Sequence, residues 1–169
     1  PCVVAAFWSS KTMPTLPNFE TTYQSIYEKE KSKYADRKYV MEHTVPPLGN
    51  CKWNDVIFLS PLHPHYIYEE FQKIGIPTEQ SSWKYFYKIP VTKLNLDPAV
   101  TTLWSHPFSG DKFAHDHFSQ IDRETYKELD ALPAKTKKYY RDEFLNQGRR
   151  PLFFGGVPHV MTTEPIEIT

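Results

Sequence analysis

Two His-x-His pairs, His63/His65 around Pro64 and His115/His117 around Asp116, are the side chains here whose type and spacing best suit chemistry. Neutral imidazole is a common metal ligand, and residues two apart on an extended segment point to one side, so such a pair on a strand offers two nitrogens to one ion. Five of the seven histidines fall within 63–117, with His106 between the pairs. One reading is therefore a metal-dependent enzyme in which a divalent ion uses the His63/His65/His106/His115/His117 cluster, with His106 or Asp111 completing the shell of His115 and His117. A second reading puts His63 at the cap of a helix and His65 in its first turn, where the two rings diverge. For His115 and His117, ordinary hydrogen bonding and general acid or base work both remain open, since an imidazole of pKa ~6.5 exchanges protons near neutrality. No nucleophile elbow, phosphate-binding loop or dinucleotide glycine motif occurs, and no motif beside Cys2 or Cys51 would lower a thiol pKa.

Hydrophobic periodicity sets the elements that position these residues. Residues 3–8 read as a short buried strand, followed by a loop interrupted by two prolines. Asn18 caps an amphipathic helix that ends near Lys38, with Tyr23, Ile26, Tyr27 and Tyr34 at helical spacing and the charges of 28–31 on its solvated face. Residues 39–44 are extended. Asp55-Val-Ile-Phe-Leu-Ser-Pro61 is an apolar run closed by Ser-Pro, which predicts a strand buried on both faces in mid-sheet. Pro64 fits the first turn of the next helix, Ile67, Phe71 and Ile74 share a face, and Gly75 stops it. Trp83, Tyr85, Tyr87 and Ile89 alternate with Lys84, Phe86 and Lys88 as a half-exposed strand, and Pro90 puts its end at a sheet margin. Residues 121–132 are predicted helical with Asp122 as cap. Another helix follows Pro133, carries Lys135, Lys137, Lys138 and Arg141, and ends before Gly148. Residues 151–154 then read as a strand and Gly155-Gly-Val-Pro158 as a turn. Strands and helices mix without βαβ alternation, so the fold class is a single α+β domain over 1–169, with one mixed or antiparallel sheet flanked by short helices.

Composition narrows the function classes. Twenty basic and twenty acidic residues cancel, so no global field draws the protein to a polyanion, and nucleic acid would have to be met through a local patch. No run approaches the ~20 apolar residues of a membrane span, and two cysteines are too few for a disulfide framework. A cytoplasmic protein with reduced thiols and no membrane partner is expected. Aromatic residues, eleven Tyr and eleven Phe among them, dominate the core, and fifteen prolines keep helices short.

Taken in order, four segments resemble the DNA-modifying ADP-ribosyltransferase toxins of the DarT group. Asp55-Val-Ile-Phe-Leu-Ser-Pro-Leu-His-Pro-His-Tyr-Ile-Tyr68 is similar to that family's strand and proline-rich turn opening a helix. Phe86-Tyr-Lys-Ile-Pro-Val91 resembles its next core strand, and Pro107-Phe-Ser-Gly-Asp-Lys-Phe-Ala-His115 the loop where it carries a Thr-Asp-Gly type turn. Arg149-Arg-Pro-Leu-Phe-Phe-Gly-Gly-Val-Pro158 is similar to its closing strand and proline turn. The resemblance implies an ADP-ribosyltransferase-like domain that binds NAD as cofactor and modifies a macromolecular substrate. It implies a cleft lined by Ser60, His63, His65 and Tyr68, with His43 nearest to the family's N-terminal histidine. The family's glutamate position falls at Arg150, whose cation opposes positive charge developing in the transition state. Glu143 is the acid offered in its place, beside His63, His115 and His117 as candidate catalytic groups. The alternatives are the metal-dependent enzyme and a non-catalytic binding or regulatory protein.

Overall fold

The computed structural model describes residues 2–5, 24, 28, 32, 42–78, 86–105 and 114–166. Its main element is a six-stranded sheet in the order β5-β1-β4-β8-β6-β7, antiparallel at each pairing. The strands are β1 (Cys2–Ala5), β4 (Ile57–Ser60), β5 (Tyr87–Pro90), β6 (Thr101–Trp104), β7 (Phe118–Ser119) and β8 (His159–Thr162). A separate hairpin joins β2 (Thr44–Val45) to β3 (Cys51–Lys52) across Gly49, whose φ of 68° is the left-handed turn conformation glycine adopts at little cost. Two helices are described over their whole length, α1 (His65–Lys73) and α2 (Ala134–Arg141), the latter running on into a π turn at Asp142–Asn146. The fold class is α+β, as the sequence pattern predicts.

Strand pleating divides the apolar residues between two faces. Phe58, Met161 and Trp104 share a face with Val45, Leu48, Val56 and Trp53, so the β2–β3 hairpin covers that side. Leu59, Val160 and Leu103 occupy the other, against Ile89, Val91, Leu94 and Ile121. A third cluster, Leu62, Ile67, Phe71, Leu132, Tyr140 and Val157, packs α1 against α2 beyond the end of β4.

Several predicted elements hold. β4 lies in mid-sheet between β1 and β8, and α1 begins directly after Pro64 with Ile67 and Phe71 buried. It stops at Gly75, whose φ is 79°. Of the strand expected over 83–89, residues 83–85 lie outside the described residues; the described part, β5, is an edge strand ending in Pro90, which suits a residue lacking an amide hydrogen. Tyr87 on that strand faces outward at 53% exposure, while Ile89 is buried. Gln24, Glu28 and Ser32 are helical and exposed, as expected of a solvated helix face. The strand expected at 3–8 is described as far as Ala5.

Four expectations are corrected. Residues 121–132 form no helix. Asp122 does cap a turn, accepting from the Glu124 amide at 2.9 Å and the Thr125 hydroxyl at 3.2 Å. The chain then leaves the helical path because the Leu129 amide donates to the Pro61 carbonyl at 2.8 Å and Leu129 bridges Leu62, so tertiary pairing overrides propensity. Residues 151–154 form no strand, 151–152 being irregular and 153–154 opening the glycine turn, and the closing strand is β8 after that turn. β6 also forms where the sequence pattern predicts no element. Glu42 is helical where an extended segment is expected.

Candidate functional site

The turn from β4 into α1 is fixed from within. Ser60, 2% exposed, donates its hydroxyl to the Leu62 carbonyl at 3.0 Å and accepts from the Leu62 amide at 3.1 Å. His63, one residue ahead of Pro64, the N-cap of α1, accepts through Nδ1 from the His65 amide at 3.1 Å. His65 Nε2 lies 3.1 Å from Glu69 Oε1, one turn further along the helix. Both histidines are exposed, and their ring centroids are 6.4 Å apart at 66°. His65 lies in the first turn as expected, while the cap expected at His63 falls at Pro64, and each ring is engaged locally.

Tyr68 projects from α1 onto Phe153, ring to ring at 4.7 Å. Phe153 also meets Phe71 at 5.6 Å and Phe154 at 4.9 Å, and its carbonyl accepts from the buried Tyr140 hydroxyl at 2.6 Å. Burial holds the Tyr140 phenol well above its ordinary pKa, so it stays a donor. Tyr68, Phe153 and Phe154 are half-buried and present ring surface at the junction of α1 with the 149–154 segment.

Three arginines border this junction. Arg141 gives Nε and Nη2 to Glu70 Oε1 at 3.1 and 3.0 Å. Arg149 Nη2 reaches Glu143 Oε1 at 2.7 Å and also Gln147 Oε1. Arg150 donates to the Pro77 carbonyl at 3.0 Å. Glu70 and Glu143 are both buried, one on α1 and the other in the π turn. The arrangement can stack planar rings and hold anions.

Other sequence-derived candidates lie on different elements. His115 and His117 form a short 3-10 turn ahead of β7, at the sheet edge opposite β5. There His117 Nδ1 accepts from the Ala114 amide at 3.4 Å. His43 stands before β2, its carbonyl accepting from the Trp53 amide at 2.8 Å, and desolvation lowers its pKa against the opposing effect of Glu42. His106 and Asp111 lie outside the described residues. Among the described residues no group of three or more His, Cys, Asp or Glu side chains is placed to hold a metal ion, and no helix is long and apolar enough to cross a membrane.

Sequence reasoning passed over His159 and Glu70. His159 opens β8, is 8% exposed and stacks on Trp104, with Trp53 and Phe58 at its edges. Desolvation lowers its pKa to about 4, against a hydrogen bond to the Phe154 backbone that acts the other way. The available signal was its place in Pro158-His-Val-Met, a histidine heading an apolar run. For Glu70 it was a carboxylate beside Phe71 and one turn from Ile67, on the apolar stripe of α1. Comparison with family models, with curated proteins and with solved structures finds no match for this chain.

Proposed function

We propose that this chain is an ADP-ribosyltransferase-like domain that binds NAD where α1 meets the 149–154 segment and modifies a macromolecular substrate. The observation that carries the reading is the contact of Tyr68 with Phe153 at 4.7 Å. These two residues belong to the first and last segments of the family resemblance, far apart in sequence. The strands beside them also meet, β4 pairing β8 with Leu59 opposite Val160. Bound NAD supplies the ADP-ribosyl group, with nicotinamide as leaving group.

The side chains present suit such a ligand. Half-buried Tyr68, Phe153 and Phe154 offer ring faces for planar heterocycles. Glu143, 7% exposed, is the buried acid joined to this segment through Arg149. In this reading Glu143 serves as the acid and Arg150, tied to Pro77, is a structural cation. Ser60 and His63 fix the turn that aims α1.

The test is the melting temperature in millimolar NAD, followed by release of nicotinamide. A ligand at 100 times its Kd stabilises the native state by ~2.7 kcal/mol, so a rise of several degrees is expected, reduced in Tyr68→Ala. No rise at any NAD concentration would sink the reading.

A further inference from the structure

The Glu70–Arg141 pair is a costly way to join two helices. Glu70 is 3% exposed within the packing of α1 on α2, beside Ile67 and Phe71 of the same apolar cluster. An apolar residue of similar volume avoids the desolvation of a carboxylate, and exchanging a buried ion pair for apolar side chains is often neutral or stabilising. What the carboxylate achieves is orientation: its Oε1 alone receives both Nε and Nη2 of Arg141, at 3.1 and 3.0 Å.

Guanidinium has five N–H donors in a rigid fork. Two are spent on Glu70. The Arg141 side chain is 54% exposed, and among the described residues no second acceptor takes its remaining donors, which therefore face outward. Lys137 and Lys138 precede Arg141 by about one turn of α2, and Lys73 follows Glu70 by one turn of α1. Lys138 is held by Asp142 at 2.8 Å. Across α1, α2 and the π turn, Lys73, Lys135, Lys137, Lys138 and Arg141 stand against Glu69, Glu70, Asp142 and Glu143, a surplus of one positive charge on a chain of zero net charge. A fixed fork with a surplus of cations matches an anion presenting several charged oxygens.

We infer that Arg141, aimed by Glu70, is an anion-binding residue that takes the pyrophosphate of a nucleotide ligand. The inference rests on the NAD reading for the nucleotide and on the Glu70–Arg141 geometry for the anion. Glu70 is the positioning residue.

Calorimetric titration of the whole chain with NAD, ADP-ribose and inorganic pyrophosphate tests it. Charge-assisted hydrogen bonds contribute enough that Arg141→Lys, which keeps the charge and loses the fork, should weaken all three by about tenfold or more. Glu70→Gln should weaken them similarly while leaving the melting temperature unchanged or raised, an outcome that a merely structural pair would not give. Lys127→Gln, on the loop between β7 and α2, should bind as wild type. The inference is overturned if Arg141→Lys binds these ligands as wild type does, or if wild type binds none of them. Pyrophosphate binding that depends on Arg141 without NAD binding supports the anion site and defeats the NAD reading. NAD binding that ignores Arg141 does the reverse.

Discussion

The imidazole of His159 lies nearly parallel to the indole of Trp104, with centroids 5.7 Å apart and planes at 11°. Trp53 and Phe58 close its edges, and the site holds the ring neutral with a pKa of about 4 against 6.5 for a free histidine. Because the folded pKa is depressed, the unfolded chain binds the proton more readily between those values. Stability is therefore full above the free value and falls as pH drops toward the folded one, by about 3 kcal/mol in all. His43 shifts in the same direction and adds to the slope. Urea midpoints at about pH 7.5 and about pH 4.5 should differ accordingly, and His159→Phe should lose most of the difference. An unaltered slope in that variant would refute the assignment.

Tyr139 lies against the Gly155-Gly156 turn. A Cβ added at Gly155 would stand 2.9 Å from Tyr139 Cε1 and 3.1 Å from the Leu152 carbonyl oxygen. Gly155→Ala should cost about 1–3 kcal/mol by overpacking. Tyr139→Ala in the same chain should recover part of it, so a double-mutant cycle of chemical denaturation should give a coupling of at least ~0.5 kcal/mol. Strict additivity would show that the ring does not set the clash.

Glu143 and Arg149 should separate folding from turnover. Arg149→Ala leaves a carboxylate that is 9% exposed without its 2.7 Å partner, and discounting for the half-exposed guanidinium the cost should be about 2 kcal/mol. Glu143→Gln removes the charge and keeps the shape, so the fold and the NAD-induced rise in melting temperature should persist while nicotinamide release is lost. Release at the wild-type rate in Glu143→Gln would remove Glu143 from the reaction.

Tyr68→Ala should lower stability by about 1 kcal/mol through loss of the Phe153 ring contact. Its larger effect should be on NAD, with affinity measured calorimetrically falling while Tyr87→Ala, on the edge strand, leaves it intact. Equal affinities in the two variants would move the ligand away from the α1 junction.

Much of the scaffold is legible in the residues themselves. The run closed by Ser60-Pro61 marks β4, the 67/71/74 stripe marks α1, and Gly75 and Gly148 mark stops where φ is positive. β6 and β8 escape such reading because Thr101, Thr102 and Thr162 are polar side chains buried in strands. Their compensation is tertiary: Thr101 Oγ1 donates to Thr162 Oγ1 at 3.0 Å, a partner sixty-one residues away. The helix expected at 121–132 fails for a related reason, since the Pro61 carbonyl that captures the Leu129 amide lies outside any local window. At the site, the histidine spacing drew attention to exposed rings engaged locally. The buried groups His159, Glu70 and Glu143 gain their meaning from neighbours brought by other segments.

β8 lies between β4 and β6, yet it follows both in the chain, after α2 and the glycine turn. Until residues 159–162 arrive during synthesis, β4 and β6 each expose an unpaired edge with apolar side chains on both faces. Such edges are templates for pairing with other chains, and closing them by a distant segment is slow relative to local contacts. The nascent protein thus passes through an interval in which its sheet is split at the centre, and that interval is where chaperone dependence and aggregation during expression should concentrate.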